Sequence, residues 1–312
     1  MQYFKVKKLG EGTYAVIYLA KAINIDTSIK ITFDDPGAHF ERLVAIKRIK
    51  KTEWGNGLEV NAIREIKALK SLKHDNLLKM EDIFVYKDDI HMVLEYVEYS
   101  LEQIIKCNEI IIMPSDIKSW VYMLLNGLNH MHDNFILHRD LKPNNLLINK
   151  DGILKLADFG LSRKITERMT PNAVTRWYRA PEMLLGQTQF GFKSDIWSVG
   201  VIMAEMFLRF PFLAAETDIQ QLETICKVLG TPKNYAYFDT QMQTFKIRNY
   251  PKTNLKNIFT AVSEDAIDLL EKMLQINPAD RIGIEDALSH EYFSTKPYAT
   301  LPHLLPKPKD PK

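Results

Sequence analysis

Apolar and polar positions alternate in strand fashion over residues 3–20, on either side of a glycine turn. Val6 and Leu9 precede Gly10-Glu11-Gly12-Thr13-Tyr14-Ala15, and Val16-Ile17-Tyr18-Leu19 follow it. β-formers after the glycines predict strand–loop–strand, not the strand–loop–helix of a dinucleotide fold, and no Gly-Lys-Ser/Thr follows to make a Walker A loop. A further apolar run, Val44-Ala45-Ile46, ends in Lys47. From Glu59 to Leu72 the period becomes helical, with Ile63, Ile66, Leu69 and Leu72 on one stripe and Glu65 beside it. His91 to Val97 reads as an apolar strand, after which the composition turns helical. Ser115 to His132 is an amphipathic helix, expected to be capped at Ser115 just after Pro114. Leu146-Leu147-Ile148 and Ile153-Leu154-Lys155-Leu156 flank Asn149-Lys150-Asp151-Gly152, which predicts a β-hairpin. Ile196 to Leu208 is the longest apolar stretch; it contains Glu205, is too short to span a bilayer and reads as a buried helix. Helices separated by Pro and Gly continue through Phe293, and Pro302, Pro306, Pro308 and Pro311 mark a tail too proline-rich to be helical.

With 312 residues the chain is long enough for one large domain or two lobes, each with its own core. A hydrophobic fraction of 46% and a charged fraction of 26% are ordinary for a soluble globular protein. Lys and Arg outnumber Asp and Glu by 41 to 39, so the net charge of +2 gives no support for nucleic-acid or membrane binding through a basic surface. The 2 cysteines, Cys107 and Cys226, lie far apart without metal-ligand spacing, which argues against a disulfide scaffold or zinc site and fits a reducing compartment. Met1 leads directly into a charged, strand-like run, so no signal peptide is expected.

Candidate chemistry gathers around the hairpin. His138-Arg139-Asp140-Leu141-Lys142-Pro143-Asn144-Asn145 precedes it and Asp158-Phe159-Gly160 follows it. These fit the patterns H-R-D-L-x-x-x-N and D-F-G. A hairpin carries Asp140 and Asn145 at one end and brings Asp158 back beside them, so that oxygen-bearing side chains converge as Mg²⁺-dependent phosphoryl transfer requires. A lone strand lysine is usually a solvated charge, and so is a helix glutamate. Lys47 and Glu65 gain weight from each other, because a phosphate-binding lysine needs an orienting carboxylate.

Val44-Ala45-Ile46-Lys47, the catalytic loop, D-F-G and Ala180-Pro181-Glu182, in that order, make the chain resemble the eukaryotic protein kinases from about residue 3 to 293. Within them it is similar to the cyclin-dependent kinases, on Gly10 to Tyr14, Ala62-Ile63-Arg64-Glu65-Ile66 and Val174-Thr175-Arg176-Trp177-Tyr178-Arg179. Met169-Thr170-Pro171-Asn172 lacks the Thr-x-Tyr of mitogen-activated kinases. Arg64 to Lys67, Leu101 to Lys106, His138 to Leu147 and Arg209-Phe210-Pro211-Phe212-Leu213 resemble the CDK-activating kinases that also serve general transcription factor TFIIH.

The resemblance implies an α+β, two-lobed fold: a small antiparallel sheet lobe with one main helix over 1–94, a hinge at 95–97, a larger helical lobe over 98–293 and a tail over 294–312. It implies transfer of the ATP γ-phosphoryl group to protein Ser/Thr with Mg²⁺. Asp140 is then the base, Lys142 its neighbour on the transferring phosphate, Asn145 and Asp158 the metal ligands, and Lys47 the α/β-phosphate lysine paired with Glu65; Thr175 joins this catalytic group. Gly10, Glu11, Gly12, Thr13, Tyr14, Ala15 and Val16 would cover the phosphates. Leu9, Ile17 and Ala45 would enclose the adenine, with backbone groups of Glu95 and Val97 at its edge and Leu94 behind. Thr170 takes the place of the activating phosphothreonine, with Arg64, Arg139 and Arg163 as its arginine triad. Implied partners are a cyclin H-like subunit, a RING-type assembly factor and substrates with Ser/Thr-Pro sites, in the nucleus or also the cytoplasm, with no direct nucleic-acid or membrane contact. The chain departs from the family at Ala15, which replaces the third glycine; at Ser100, where an aspartate usually meets the ribose; and over Ala22 to Arg42, a long insertion with a turn at Asp34-Asp35-Pro36-Gly37. A pseudokinase scaffold, a small-molecule kinase and a different cell-cycle cyclin-dependent kinase are the competing readings. Retention of Lys47, Asp140 and Asp158 speaks against the scaffold, and the platform Val174 to Glu182 speaks against the small-molecule kinase.

Overall fold

The computed structural model describes residues 1–12, 15–23, 40–50, 60–165, 176–188, 190–233, 235–245 and 247–309. Thr13, Tyr14, Thr170, Thr175, Glu59 and positions 24–39 of the 22–43 insertion lie outside these residues. Strands β1 (Gln2–Glu11), β2 (Ala15–Ile23) and β3 (Phe40–Ile49) are followed by helix α1 (Val60–Ser71) and strands β4 (Met80–Tyr86) and β5 (Asp89–Glu95). The strands form an antiparallel five-stranded sheet in the order β1-β2-β3-β5-β4. Ala20, Ala22, Val44, Ile46 and Val93 pack on one face of it. Tyr3 and Phe84, from the two edge strands, stack at 5.5 Å over that cluster and curl the sheet.

β5 begins before His91 and ends at Glu95, two residues short of the strand expected to reach Val97. Glu95 N–H donates to Lys79 O, the last such bond before the chain turns away toward β6 (Tyr99–Ser100) and α2 (Leu101–Lys106). Helix α3 (Pro114–Asp133) starts one residue earlier than expected and is not capped by Ser115. Met113 is the N-cap, Pro114 takes the first turn where its missing N–H costs nothing, and Asp116 accepts the Met113 N–H at 2.9 Å. On α1 the buried positions are Ala62, Glu65, Ala68 and Leu69, while Ile63 is 37% exposed. The inward face is therefore rotated from the expected apolar stripe and centred on a carboxylate.

Beyond α3 come β7 (Ile136–Leu137), the hairpin β8 (Leu146–Ile148) and β9 (Leu154–Leu156), and β10 (Arg163–Lys164), which pairs with β7. The hairpin turn needs Gly152 twice over: its φ is +83°, and a Cβ there would lie 1.7 Å from Pro302 O. α4 (Pro181–Leu184), α5 (Lys193–Leu208), α6 (Asp218–Leu229), α7 (Ala236–Phe245), α8 (Glu264–Met273) and α9 (Ile284–Leu288) complete the helical part. Every residue of α5 from Ser194 to Met206 is buried, as an all-round apolar helix must be. The tail is not wholly irregular, since Pro302–Leu304 forms a 3₁₀ turn. It is tied down by Thr300 Oγ1, which donates to Asp116 Oδ1 at 2.6 Å.

Candidate active site

The hairpin places Asp140 and Asn145 before β8 and Asp158 after β9. Asn145 Nδ2 donates to Asp140 O at 2.8 Å and to Asp140 Oδ2 at 3.0 Å, and Lys142 Nζ donates to the same oxygen at 2.8 Å. Asp140 lines the cleft, and its Oδ1 has no hydrogen bond among the described residues. From the sheet, Lys47 Nζ reaches both carboxylate oxygens of Glu65 at 2.7 Å and Asp158 Oδ1 at 3.5 Å. Burial pushes the Lys47 ammonium toward neutrality, but Glu65 and Asp158 outweigh it, so its pKa is raised and it stays a cation. Burial likewise pushes the Asp158 carboxyl up, and Lys47, His138 and Lys142 together hold it below its ordinary value.

A cleft of about 420 Å³ between sheet and helices is lined by Leu9, Gly10, Ile17, Ala45, Leu94, Glu95 and Val97, with Lys47, Asn145 and Asp158 at its inner end. Ala15 borders the adjoining space with Lys47, Glu65, Asp140, Lys142 and Asp158. Not every expected residue joins them. Val16 is buried and pairs with Glu11 across the strands. The Glu11 carboxylate turns to Lys8 and Lys50, which lower its pKa to about 2, and Gly12 N–H closes on Ala15 O at 2.9 Å.

Arg64, Arg139 and Arg163 do gather. Repulsion from Arg163 lowers the pKa of Arg64, with burial the larger cause. Burial first, then Arg163, Arg64 and Arg179, bring Arg139 down to about 10. Arg64 is held by Asn61 Oδ1 at 3.1 Å, while the buried Nε of Arg163 has no hydrogen-bond partner among the described residues.

Several contacts that shape the site carried no signal in the pattern. Arg139 has φ +70° and Asp158 +64°, both left-handed. The buried carboxylate of Asp195, on α5, holds the first of these. Its Oδ1 accepts Arg139 N–H at 2.9 Å, and its Oδ2 accepts His138 N–H at 2.9 Å and His132 Nε2–H at 3.0 Å. His138 Nε2–H donates to Ala157 O at 3.1 Å and its Nδ1 accepts Asp140 N–H at 3.3 Å, tying both sides of the site and fixing the tautomer. Glu182 and Arg281 form a fully buried, two-bond ion pair at 2.8 and 2.9 Å. Tyr178 OH donates to buried Glu205 at 2.6 Å. The apolar run in the sequence began at Ile196, one residue after Asp195, and nothing in it pointed to partners on another element.

Residues 3–293 match the family profile of the protein kinase domain. The chain belongs to the protein kinases. The kinase is 49% identical over 302 residues to the probable serine/threonine-protein kinase KIN28 homolog of Encephalitozoon cuniculi, with 96% of this chain and 97% of that protein covered. It is 43% identical over 309 residues to cyclin-dependent kinase 7 of Dictyostelium discoideum, covering 96% and 82%. Among solved structures, a chain of the CAK complex from Chaetomium thermophilum bound to ATP-gamma-S matches with a TM-score of 0.85 and 39% identity, over 98% of this chain and 95% of that one. The kinase is thus of the cyclin-dependent serine/threonine type and uses ATP with Mg²⁺. The donor set fits the metal. Asn145 commits its Nδ2 to Asp140, leaving Oδ1 as its ligating end, and the Asp158 side chain is 48% exposed to the cleft and held ionised. These are the hard oxygens Mg²⁺ prefers.

Proposed function

We propose that this kinase, with a cyclin subunit, phosphorylates the activation segments of other cyclin-dependent kinases and the heptad repeats of the RNA polymerase II tail. The observation that carries this reading is the placement of the Lys47–Glu65–Asp158 group across one cleft from Asp140, Lys142 and Asn145. The similarity to the KIN28 homolog and to a chain of the CAK complex supports the substrate class.

Each residue then has a task. Lys47 holds the α/β-phosphates and Glu65 holds Lys47. Asn145 and Asp158 would hold Mg²⁺, which would neutralise charge on the phosphates. Asp140 Oδ1, free of the two bonds that occupy Oδ2, takes the proton of the Ser/Thr hydroxyl. The hydroxyl oxygen forms the new bond to the γ-phosphorus as the bridging P–O bond breaks and ADP leaves, while Lys142 steadies the transferring group. Gly10 would lie over the phosphates, the Leu9, Ile17 and Ala45 side chains would cover the base, and the backbone of Glu95 and Val97 would meet its edge.

Val60 and Ile63 of α1 are 56% and 37% exposed, an apolar face suited to a cyclin. Glu65 is already inward and paired, so the cyclin would hold this arrangement, not create it. A RING-type assembly factor and a nuclear location follow from the same reading. A backbone that disfavours an N–H donor after the target residue would favour Ser/Thr-Pro sites, because proline has none. The test is a labelled-ATP assay of the purified chain, alone and with a co-expressed cyclin subunit. Substrates are a heptad-repeat peptide, its Pro→Ala variant and an inactive cyclin-dependent kinase. Incorporation into the first and last, increased by the cyclin, is expected. Incorporation into none of them refutes the reading.

A further inference from the structure

Between the hinge and the metal end of the cleft, Ser100, Gln103, Glu98 and Asn144 line the rim. Ser100 lies a few residues past Val97 and Asn144 lies next to Asn145, so a sugar joining a base at the hinge to phosphates at Lys47 must pass here. Ser100 is the N-cap of α2: its Oγ accepts Gln103 N–H at 3.3 Å, and Gln103 Oε1 accepts Ser100 N–H at 2.9 Å. The second bond fixes the amide. Only the oxygen end can accept from a backbone N–H, so Nε2 with its two hydrogens is the outward end.

Gln103 is exposed, and its Nε2 makes no hydrogen bond among the described residues. The carboxylates nearby are each held through one oxygen. Glu98 Oε2 accepts Lys150 N–H at 2.9 Å, and Glu95 Oε1 accepts Lys79 N–H at 2.7 Å and pairs with Lys155 at 3.0 Å. Asn144 holds no hydrogen bond among the described residues and can turn either end of its amide outward, so it does not set the polarity. Gln103 Nε2 is thus a donor that the rim presents in a fixed orientation.

We propose that Gln103 is the residue that reads the sugar of the nucleotide, donating Nε2–H to a ribose hydroxyl oxygen, so that this kinase recognises the ribose as an acceptor. An aspartate at position 100, as the family resemblance leads one to expect, would accept from the hydroxyl instead. The inference rests on the cleft being the nucleotide site.

The polarity can be read directly, by isothermal titration of the full chain with ATP, its 2′- and 3′-deoxy analogues, and its 2′- and 3′-O-methyl analogues. A deoxy analogue lacks both donor and acceptor; an O-methyl analogue keeps the oxygen and loses only the hydrogen. At the hydroxyl that is read, the deoxy form should bind roughly fivefold more weakly than ATP, the worth of one neutral hydrogen bond, and the O-methyl form within about twofold of ATP. In Gln103→Leu both should bind like ATP. In Ser100→Asp, which keeps a good N-cap and adds an acceptor for the hydroxyl hydrogen, the O-methyl form should fall below ATP, with the deoxy form weaker still. Equal loss for O-methyl and deoxy forms in the unaltered chain, or unchanged discrimination in Gln103→Leu, would overturn the proposal. Absence of ATP binding in every variant would instead remove the nucleotide-site reading, and this proposal with it.

Discussion

Replacing Asp195 by Asn changes one oxygen to NH₂ at a position 1% exposed, and the consequence can be worked from its partners. The carboxylate accepts Arg139 N–H on one oxygen, and His138 N–H and His132 Nε2–H on the other. An asparagine best keeps its oxygen toward the two donors on Oδ2, which leaves its NH₂ facing Arg139 N–H. That backbone donor is then buried opposite another donor, at a cost of about 1–3 kcal/mol, and the surviving bonds lose their charge. A total of about 2–4 kcal/mol is expected, a large part of a domain's stability. The loss falls on a residue at φ +70°, a conformation held only by its surroundings. Arg139 should relax and carry Asp140 with it, so kcat should fall roughly a hundredfold or more while KM for ATP, set elsewhere in the cleft, changes little. The pH dependence has a definite sign. Burial pushes the Asp195 carboxyl up, but the His132 bond and charge, His138 and the Arg139 N–H outweigh it and hold its pKa below the ordinary value. A carboxyl depressed on folding contributes stability above its unfolded pKa of about 3.9, and that stability is lost as pH falls through the lower folded value. The gap between the parent and Asp195→Asn in urea midpoint should therefore be full at neutral pH and close only below about pH 4. A variant with kcat within twofold of the parent, or a gap that persists unchanged into strong acid, would refute the reasoning.

Asp158→Asn should abolish turnover while the chain stays folded with a modestly lower melting temperature, because it weakens the metal site and removes the charge facing Lys47 without altering shape; near-normal turnover would remove Asp158 as a Mg²⁺ ligand. Glu182→Gln should cost about 3–5 kcal/mol in urea unfolding, since it leaves the fully buried Arg281 guanidinium without its counter-charge; a loss under 1 kcal/mol would contradict that. Thr170→Ala and Arg163→Ala should each lower activity severalfold, and mass spectrometry of active complex should find Thr170 phosphorylated. A phosphate carrying about −1.5 to −2 charge is what the clustered Arg64, Arg139 and Arg163 would bind. Unmodified Thr170 in active enzyme, with both variants at normal rates, would end that idea.

What was legible in the sequence was local. The Asp-Gly turn between two apolar runs is a complete instruction for a hairpin, so the meeting of Asp140, Asn145 and Asp158 could be read from a short stretch. Misreadings came where a polar contact overrode an apolar pattern. The α1 stripe suggested Ile63 as an inward residue, but the bond from Lys47 to Glu65 turns the helix to bury the carboxylate and leaves Ile63 partly exposed. At α3, Ser115 beside Pro114 invited a serine cap, yet a proline at the first helical position put the cap at Met113 and gave the N–H to Asp116. The pairing of Glu182 with Arg281 spans 99 residues, and nothing in the local pattern of either predicts the other.

Long-range contacts of this kind also explain how the proposed base, Asp140, and the proposed substrate platform keep their relation. Asp195, Ser198 and Glu205 lie on one face of α5, within about 80° of arc at 3.6 residues per turn. Asp195 fixes the backbone at His138 and Arg139, next to the base. Ser198 Oγ donates to Tyr178 O at 2.7 Å, and Glu205 accepts from Tyr178 OH at 2.6 Å, which fixes the chain just before Ala180-Pro181-Glu182. Arg281 adds a bond from the same direction, since its Nη1 reaches both Glu182 and Lys193 O at the start of α5. One helix, buried from Ser194 to Met206, thus anchors both the backbone beside the proposed base and the chain before Ala180. A small shift of α5 moves base and platform together and leaves the distance between them unchanged, whereas loss of one side-chain anchor changes that distance directly. Sensitivity to substitution should therefore be high at the three anchoring side chains and low at apolar positions of α5 replaced by residues of equal volume.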